Sequence, residues 1–300
     1  MQKIIHTEGS IPLGLALGGG GIKGWAHVGV LEVLEECGLH PGAIAGSSVG
    51  AMIGAAYAAG MSVQEMRQIM ENKEAQRMFR LRLDGRSLLK WTAFEEALRQ
   101  VFGDARIEDL KKPFYAVCTD LETGKEVVLD KGSVVQAILA SSAVPGIFPP
   151  VAIEGKLLVD GGLVNNVPVD VLRARGVQHV IASQLQRSGQ VASTAEDESQ
   201  TVLPADSMAL RVLGRFVQGQ KERSAALGVL NRSIDIILTQ LETHQLEEAQ
   251  PDVLIVPQVA DIRPLNFTED RLKIYRRGVE AARAQEEALR MLANRLRMRS

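Results

Sequence analysis

Three hundred residues with 46% hydrophobic content are enough for one large domain with a sizeable core. A net charge of −2, with no stretch that interleaves basic and aromatic side chains, excludes a surface built to follow a nucleic-acid backbone. Two isolated cysteines, Cys37 and Cys118, and five histidines without HxxxH or HExxH spacing supply neither a disulfide framework nor a metal site, so no metal or cofactor is expected and a reducing, cytoplasmic setting is.

The first ten residues carry Lys3, His6 and Glu8 and no long apolar run, so they do not read as a signal peptide. Leu13 to Leu17 is a short apolar run, followed by four glycines and by apolar residues at helical spacing from Trp25 to Cys37. That pattern predicts strand, turn and helix. The unit repeats, with a strand at Ala43 to Ala45, a tight turn, and a helix from Val49 to about Met70. Gly42 to Met61 is twenty residues without a charge, long enough for a membrane span, but five of them are glycine. Small residues suit a helix packed closely on a sheet, which is the preferred reading.

Further strands are expected at Phe114 to Thr119, Glu126 to Leu129, Leu157 to Val159, Val177 to Ser183 and Val253 to Val256, with helical patterns between most of them. Such alternation predicts an α/β fold, three layers α/β/α around a central, mostly parallel sheet. Ser188 to Pro204 is polar and reads as a mobile loop. About Asp206 to Glu248 follows a helical pattern broken by Gly214, Gly219 and Gly228, and Thr268 to about Arg299 reads as a terminal helix. The expected organisation is a catalytic core over 11–185, a mobile polar loop over 186–205, and a helical part over 206–300 completing the same domain.

Two motifs carry chemistry. In Gly18-Gly19-Gly20-Gly21-Ile22-Lys23-Gly24, consecutive glycines permit positive φ and turn bare N–H groups toward a ligand at a helix N-terminus, a place that stabilises negative charge. Gly19, Gly21 and Gly24 satisfy GxGxxG, but Ala45-Gly46-Ser47 stands where a dinucleotide fold places its ribose-binding carboxylate. The phosphate-gripping GxxxxGK[ST] order is also missing, since Lys23 precedes the glycine and Trp25 follows it. An oxyanion hole remains.

The second motif, Gly46-Ser47-Ser48-Val49-Gly50, matches the GxSxG elbow that exposes a serine Oγ between a strand and a helix. Short Gly/Ser strings also arise by chance, and either serine could simply cap the next helix. A serine nucleophile needs a base. His179 opens an apolar strand and His244 lies in a charged helical stretch, so both read as structural or solvated rather than catalytic. Asp160, in the sharp turn Asp160-Gly161-Gly162 after the Leu157-Leu158-Val159 strand, is better placed, although an Asx turn would also explain it.

Together these residues resemble the patatin-like phospholipase family. The glycine loop with Lys23-Gly24, the Ser48 elbow, Ala140-Ser141-Ser142-Ala143-Val144-Pro145 running on to Phe148-Pro149-Pro150, and Asp160-Gly161-Gly162 with Asn165-Asn166-Val167-Pro168 stand in the family's order over about residues 11 to 185. The resemblance implies a modified α/β-hydrolase fold, a Ser48–Asp160 dyad without histidine, and oxyanion donors among the amides of Gly19, Gly20 and Gly21. It also implies a lipid or acyl ester substrate and no metal. The loop cation is often arginine in that family and is Lys23 here, which keeps the charge but not the bidentate geometry. The alternatives are a Ser-His-Asp esterase using His179, and a regulatory or interaction protein that keeps the fold without turnover.

Lipid chemistry requires an interface. Arg67 to Lys90 holds seven basic residues against three acidic ones, a local +4, and Arg271 to Ser300 nine against three, a local +6. Basic amphipathic helices of this kind can lie on a membrane as a peripheral contact, although most are solvated surface helices.

Overall fold

The computed structural model describes residues 11–72, 87–186, 233–264 and 269–298. Its first strands, β1 (Leu13–Leu17) and β2 (Ala43–Ser47), are buried at every position. A strand covered on both faces has no solvent side to pattern, which is why both read as unbroken runs of apolar and small residues. Each is followed by a helix, α1 (Trp25–Glu36) and α2 (Val49–Ala58).

The remaining elements, in order, are α3 (Val63–Glu71), α4 (Ser87–Phe102), β3 (Phe114–Asp120), β4 (Glu126–Leu129), α5 (Val134–Ser141), β5 (Val151–Ile153), β6 (Lys156–Asp160), α6 (Val169–Arg173), β7 (His179–Ser183), α7 (233–249), β8 (Val253–Ile255), α8 (Arg271–Arg283) and α9 (Glu286–Arg297). The eight strands form one sheet in which neighbours run β5-β6-β3-β2-β1-β7-β8, with β4 also on β3. Strands β8, β7, β1, β2 and β3 are mutually parallel, and β4 and β6 are antiparallel to β3.

Side chains alternate across this sheet with period two. From β1, Leu13, Leu15 and Leu17 enter one core, shared with α1, α2, α3, α5, α8 and α9. Ala16 enters the other, with Val169, Val171 and Leu172 of α6 and Leu246 of α7. The expected three-layer α/β/α architecture is therefore present, with a mixed sheet whose parallel body carries the site.

Several boundaries differ from expectation. The helix expected over Val49 to Met70 is two, because Gly60 turns the chain at φ 90° and Ser62 opens α3 with a reciprocal capping box to Glu65. The terminal helix expected from Thr268 likewise divides into α8 and α9 around Ala284 and Gln285. Strand β5 was not anticipated, being three residues long. Gly42 to Met61 folds as β2 and α2 inside the core, and no described helix is long and apolar enough to cross a membrane. The polar segment 188–204, most of the helical pattern before residue 233, and most of Arg67 to Lys90 lie outside the described residues.

Two interactions hold the layers around the site. Helices α1 and α8 touch backbone to backbone: a Cβ on Gly29 would lie 2.2 Å from Tyr275 O, and one on Gly278 only 1.9 Å from Ala26 O. Adding that methyl by Gly29→Ala forces the helices apart, at a cost of about 1–3 kcal/mol. A thermal melt should show the midpoint lowered by about 2–10 °C.

His27 of α1 is fully buried between the C-terminal ends of β1 and β7. Since a carbonyl only accepts, Nε2–H donates to Gly18 O at 2.8 Å and Nδ1 accepts from Ser183 Oγ–H at 2.9 Å. Burial pushes its pKa down from 6.5 to about 4, against the opposing hydrogen bond to Gly18. The folded imidazole is therefore neutral where the unfolded one is already protonated. Stability from this group is complete above pH 6.5 and is lost as pH falls toward 4, about 3 kcal/mol in all. Urea unfolding at pH 7 and pH 4.5 should show a smaller acid loss in His27→Gln than in the wild type; equal losses would count against the assignment.

Candidate active site

The site lies at the C-terminal edge of the parallel strands, where the first turns of α1 and α2 aim their positive ends. Strand β3 organises it. Residues Ala116 and Val117 pair with β2 on one side and β4 on the other, whereas Cys118 and Thr119 pair with β6 and β4. Strands β2 and β6 therefore share one edge of β3 and meet end to end. Ser47 pairs with Val117 and Asp160 with Cys118, so the serine elbow and the aspartate arrive on successive rungs.

At the elbow Ser48 has φ 53° and ψ −123°, a conformation costly for a residue with a side chain, about 1–3 kcal/mol. The flanking glycines make it sterically possible. A Cβ on Gly46 would lie 2.4 Å from Gly50 C, and one on Gly50 would lie 2.1 Å from Leu17 O. The Ser48 hydroxyl makes no capping bond to α2, and the Ser47 hydroxyl donates to Asn165 O at 2.6 Å, so helix capping accounts for neither serine. The Ser48 N–H donates to Ser141 Oγ at 2.8 Å, and that hydroxyl donates to Val117 O at 2.6 Å. Ser141 thus ties the elbow to Val117, the last β3 residue paired with β2.

Asp160 is buried, and its Oδ1 accepts the Gly162 N–H at 2.7 Å, the Asx turn allowed for above. Its backbone is fixed as well, by N–H donation to Ala143 O and by acceptance at its carbonyl from Thr119 Oγ1. Burial foremost, and then the Asp160 charge, raise the Cys118 thiol well above its usual range. Cys37 and Cys118 are both buried and unbonded to each other.

In the glycine loop the donors are largely assigned. Gly18 N–H goes to Ser183 O, Gly19 N–H to Asn166 Oδ1 at 3.1 Å, and Ile22 N–H to Pro264 O at 2.9 Å. The amides of Gly20 and Gly21 make no such bond among the described residues. A side chain at Gly21, at φ 59°, would strike Pro264 O at 2.2 Å. Because Pro264 already takes the Ile22 donor, a pyrophosphate could not use this helix start in the dinucleotide manner. Lys23 is buried, with its ammonium donating to Gln186 O at 2.7 Å.

The two histidines weighed as bases stand elsewhere. His179 pairs with Leu13 at the opposite edge, while Gly46, just before the elbow, pairs with Leu17; four residues of strand put the two ends roughly 13 Å apart. His179 Nδ1 is bonded to Asp252 Oδ1 at 2.6 Å. His244 is exposed on α7 beside Glu248. Four further residues complete the surroundings: Ser141 under Ser48 and Asn166 on Gly19, present in the family motifs but given no role from the sequence, and His27 under Gly18 and Glu242 of α7 on Asn166, which the sequence did not single out. Among the described residues, no group of three or more His, Cys, Asp or Glu is arranged to hold a metal ion.

The profile of the family described as patatin-like phospholipase matches residues 15–173. An NTE family protein of Mycobacterium tuberculosis is 35% identical over 201 residues, 66% of this chain and 55% of that protein. Human patatin-like phospholipase domain-containing protein 6 is 36% identical over 178 residues, 57% of this chain and 13% of that protein. The chain thus spans about half the length of its mycobacterial relative. Among solved structures, VipD from Legionella pneumophila superposes with a TM-score of 0.53 at 14% identity, covering 93% of this chain and 67% of that one, a likeness of fold. With the elbow, the glycine loop and the Asp160 turn all inside the matched span, the chain belongs to the patatin-like phospholipase family.

Proposed function

We propose that the protein hydrolyses carboxylic esters of lipids, with Ser48 as nucleophile, Asp160 as general base, and the glycine loop as oxyanion hole. The observation that carries this reading is the uncapped Ser48 hydroxyl on a strained elbow, one rung of β3 away from Asp160. Strain held by the surrounding packing, on a residue whose side chain serves no helix cap, points to chemistry.

In the proposed reaction Ser48 Oγ attacks the ester carbonyl and its proton passes to Asp160. The carbonyl oxygen becomes negative and is held by the Gly20 and Gly21 amides, since the Gly19 amide serves Asn166. Collapse expels the alcohol, which takes the proton back from Asp160, and leaves an acyl-enzyme. Water then attacks the acyl carbon, giving its proton to the same carboxylate, which passes it to Ser48 Oγ as the intermediate collapses and the fatty acid leaves.

An apolar wall for the acyl chain adjoins Asp160. The loop after α5 begins at Ala143, which holds the Asp160 N–H, and runs through Val144 and Ile147 to Phe148. The Phe148 ring lies 4.8 Å from that of Trp91 on α4, and Trp91 lies 5.9 Å from Phe94. These half-buried side chains suit a hydrocarbon rather than a charged group. Contact with a lipid surface through the basic C-terminal helices remains part of this proposal.

Ser48→Ala and Asp160→Asn should each lower turnover of a chromogenic acyl ester by at least about 10³-fold with the fold retained, and Ser48→Ala should abolish fluorophosphonate labelling. A labelling-silent wild type would favour an interaction protein, and loss of activity in His179→Ala would favour the triad. In a chain-length series, Phe148→Ala should lower kcat/KM about 10-fold on long-chain esters and under about threefold on acetate.

A further inference from the structure

We propose that Glu242, on α7 and outside the span matched by the family profile, is a positioning residue for the glycine loop. Its carboxylate sets which way the Asn166 amide faces and so aims the Gly19 N–H. The proposal rests on the hydrolase reading above for its kinetic consequence, but its structural content stands apart from it.

Glu242 is 3% exposed although it carries a charge-bearing group on an otherwise mostly exposed helix. Its Oε1 accepts from Gln184 Nε2 at 2.8 Å and its Oε2 accepts from Asn166 Nδ2 at 2.9 Å. An ionised carboxylate can only accept, so the nitrogen of the Asn166 amide must face it and the oxygen must face away. That oxygen takes the Gly19 N–H at 3.1 Å. The chain of bonds has one polarity from end to end.

Its position gives the polarity a consequence at the reacting centre. A Cβ on Gly19 would meet Asn166 Oδ1 at 2.8 Å and Ser48 Cβ at 3.2 Å, so the loop backbone packs directly on the nucleophile. Gly18 is pinned by Ser183, Gly19 by Asn166, and Ile22 by Pro264, which suspends Gly20 and Gly21 between fixed points. A neutral amide at position 242 offers a donor as well as an acceptor. Asn166 could then turn over, setting its NH₂ group against the Gly19 N–H, two donors facing each other. The suspended amides lose an anchor. An oxyanion donor acts only in the transition state, so the loss should appear in kcat rather than in KM.

The test compares wild type, Glu242→Gln, and the double variant Asn166→Asp with Glu242→Gln on a soluble acyl ester, with Ser48→Ala as control and with amide hydrogen exchange of Gly19 followed in each. Glu242→Gln should lower kcat about 10- to 100-fold with KM within about twofold, and should speed Gly19 exchange. The double variant restores the polarity. The carboxylate introduced at position 166 accepts from Gly19 and from the new amide, whose oxygen accepts from Gln184. It should recover at least about tenfold in kcat and return Gly19 to slow exchange. If Glu242→Gln does not fold, Asn166→Ala carries the same expectation for kcat and exchange. Wild-type kcat and exchange in the single variant, or no recovery of either in the double one, would overturn the proposal. Turnover that survives Ser48→Ala would overturn the hydrolase reading instead, while the exchange data still decide the role of Glu242.

Discussion

The edge of β3 is offered to two strands in succession. Strand β2 occupies it as far as Val117 and then leaves through the elbow; β6 enters from the opposite direction and takes over at Cys118. Backbone groups in the middle of a sheet must be paired, so where one strand ends on this edge it has to be met by the end of another, or by side chains standing in for it. Ser141 and Thr119 fill that gap, one bridging Ser48 N–H to Val117 O and the other donating to Asp160 O. Ser48 and Asp160 are neighbours because the sheet needs its hydrogen bonds completed at that point. The loop running past them inherits the same geometry.

Close approach is the second requirement, and it is met by removing side chains. Gly24 packs on Val49, Gly46 on Gly50, Gly50 on the end of β1, and Gly161 on Val117 O. Each would bring a Cβ within 2.4 Å of an atom already in place. These glycines therefore have a packing role: they let two helix N-termini and two strand ends meet over a few ångströms. The strain on Ser48 persists because every neighbour of the elbow is fixed independently of it.

This explains what could be read in the sequence. Ser48, Asp160 and the glycine loop announce themselves locally, because the turns they occupy tolerate few residue types. The strands of the parallel body are equally plain, being short apolar runs covered on both faces. The break between α2 and α3 was also written locally, in Gly60 and the Ser62-x-x-Glu65 box, but a continuous apolar pattern obscured it. What was not legible is everything held over long separations. His27 meets Ser183 across 156 residues, Asn166 meets Gly19 across 147, and Glu242 meets Asn166 across 76. A histidine in an apolar helix and a glutamate in a charged one carry no local mark of such partners, since nothing in their immediate neighbours changes when the partner is present.

The histidines also show why the proposed chemistry can rest on a carboxylate. An imidazole is useful as a base because its pKa lies near neutrality and one of its nitrogens is open to the nucleophile. His27, the histidine built into the glycine-loop end of the sheet, meets neither condition. Both nitrogens are occupied, by Gly18 O and Ser183 Oγ, and burial lowers its pKa to about 4, close to that of an ordinary carboxyl group. An imidazole so situated has no advantage in basicity over an ordinary carboxylate, and moving it would detach the loop it supports. Asp160 keeps its position through backbone bonds and an Asx turn, so the proposed proton exchange at its side chain would leave the sheet edge intact. In this fold the imidazole serves as a neutral clamp on the glycine loop, which leaves the proposed proton transfer to the carboxylate placed beside the elbow.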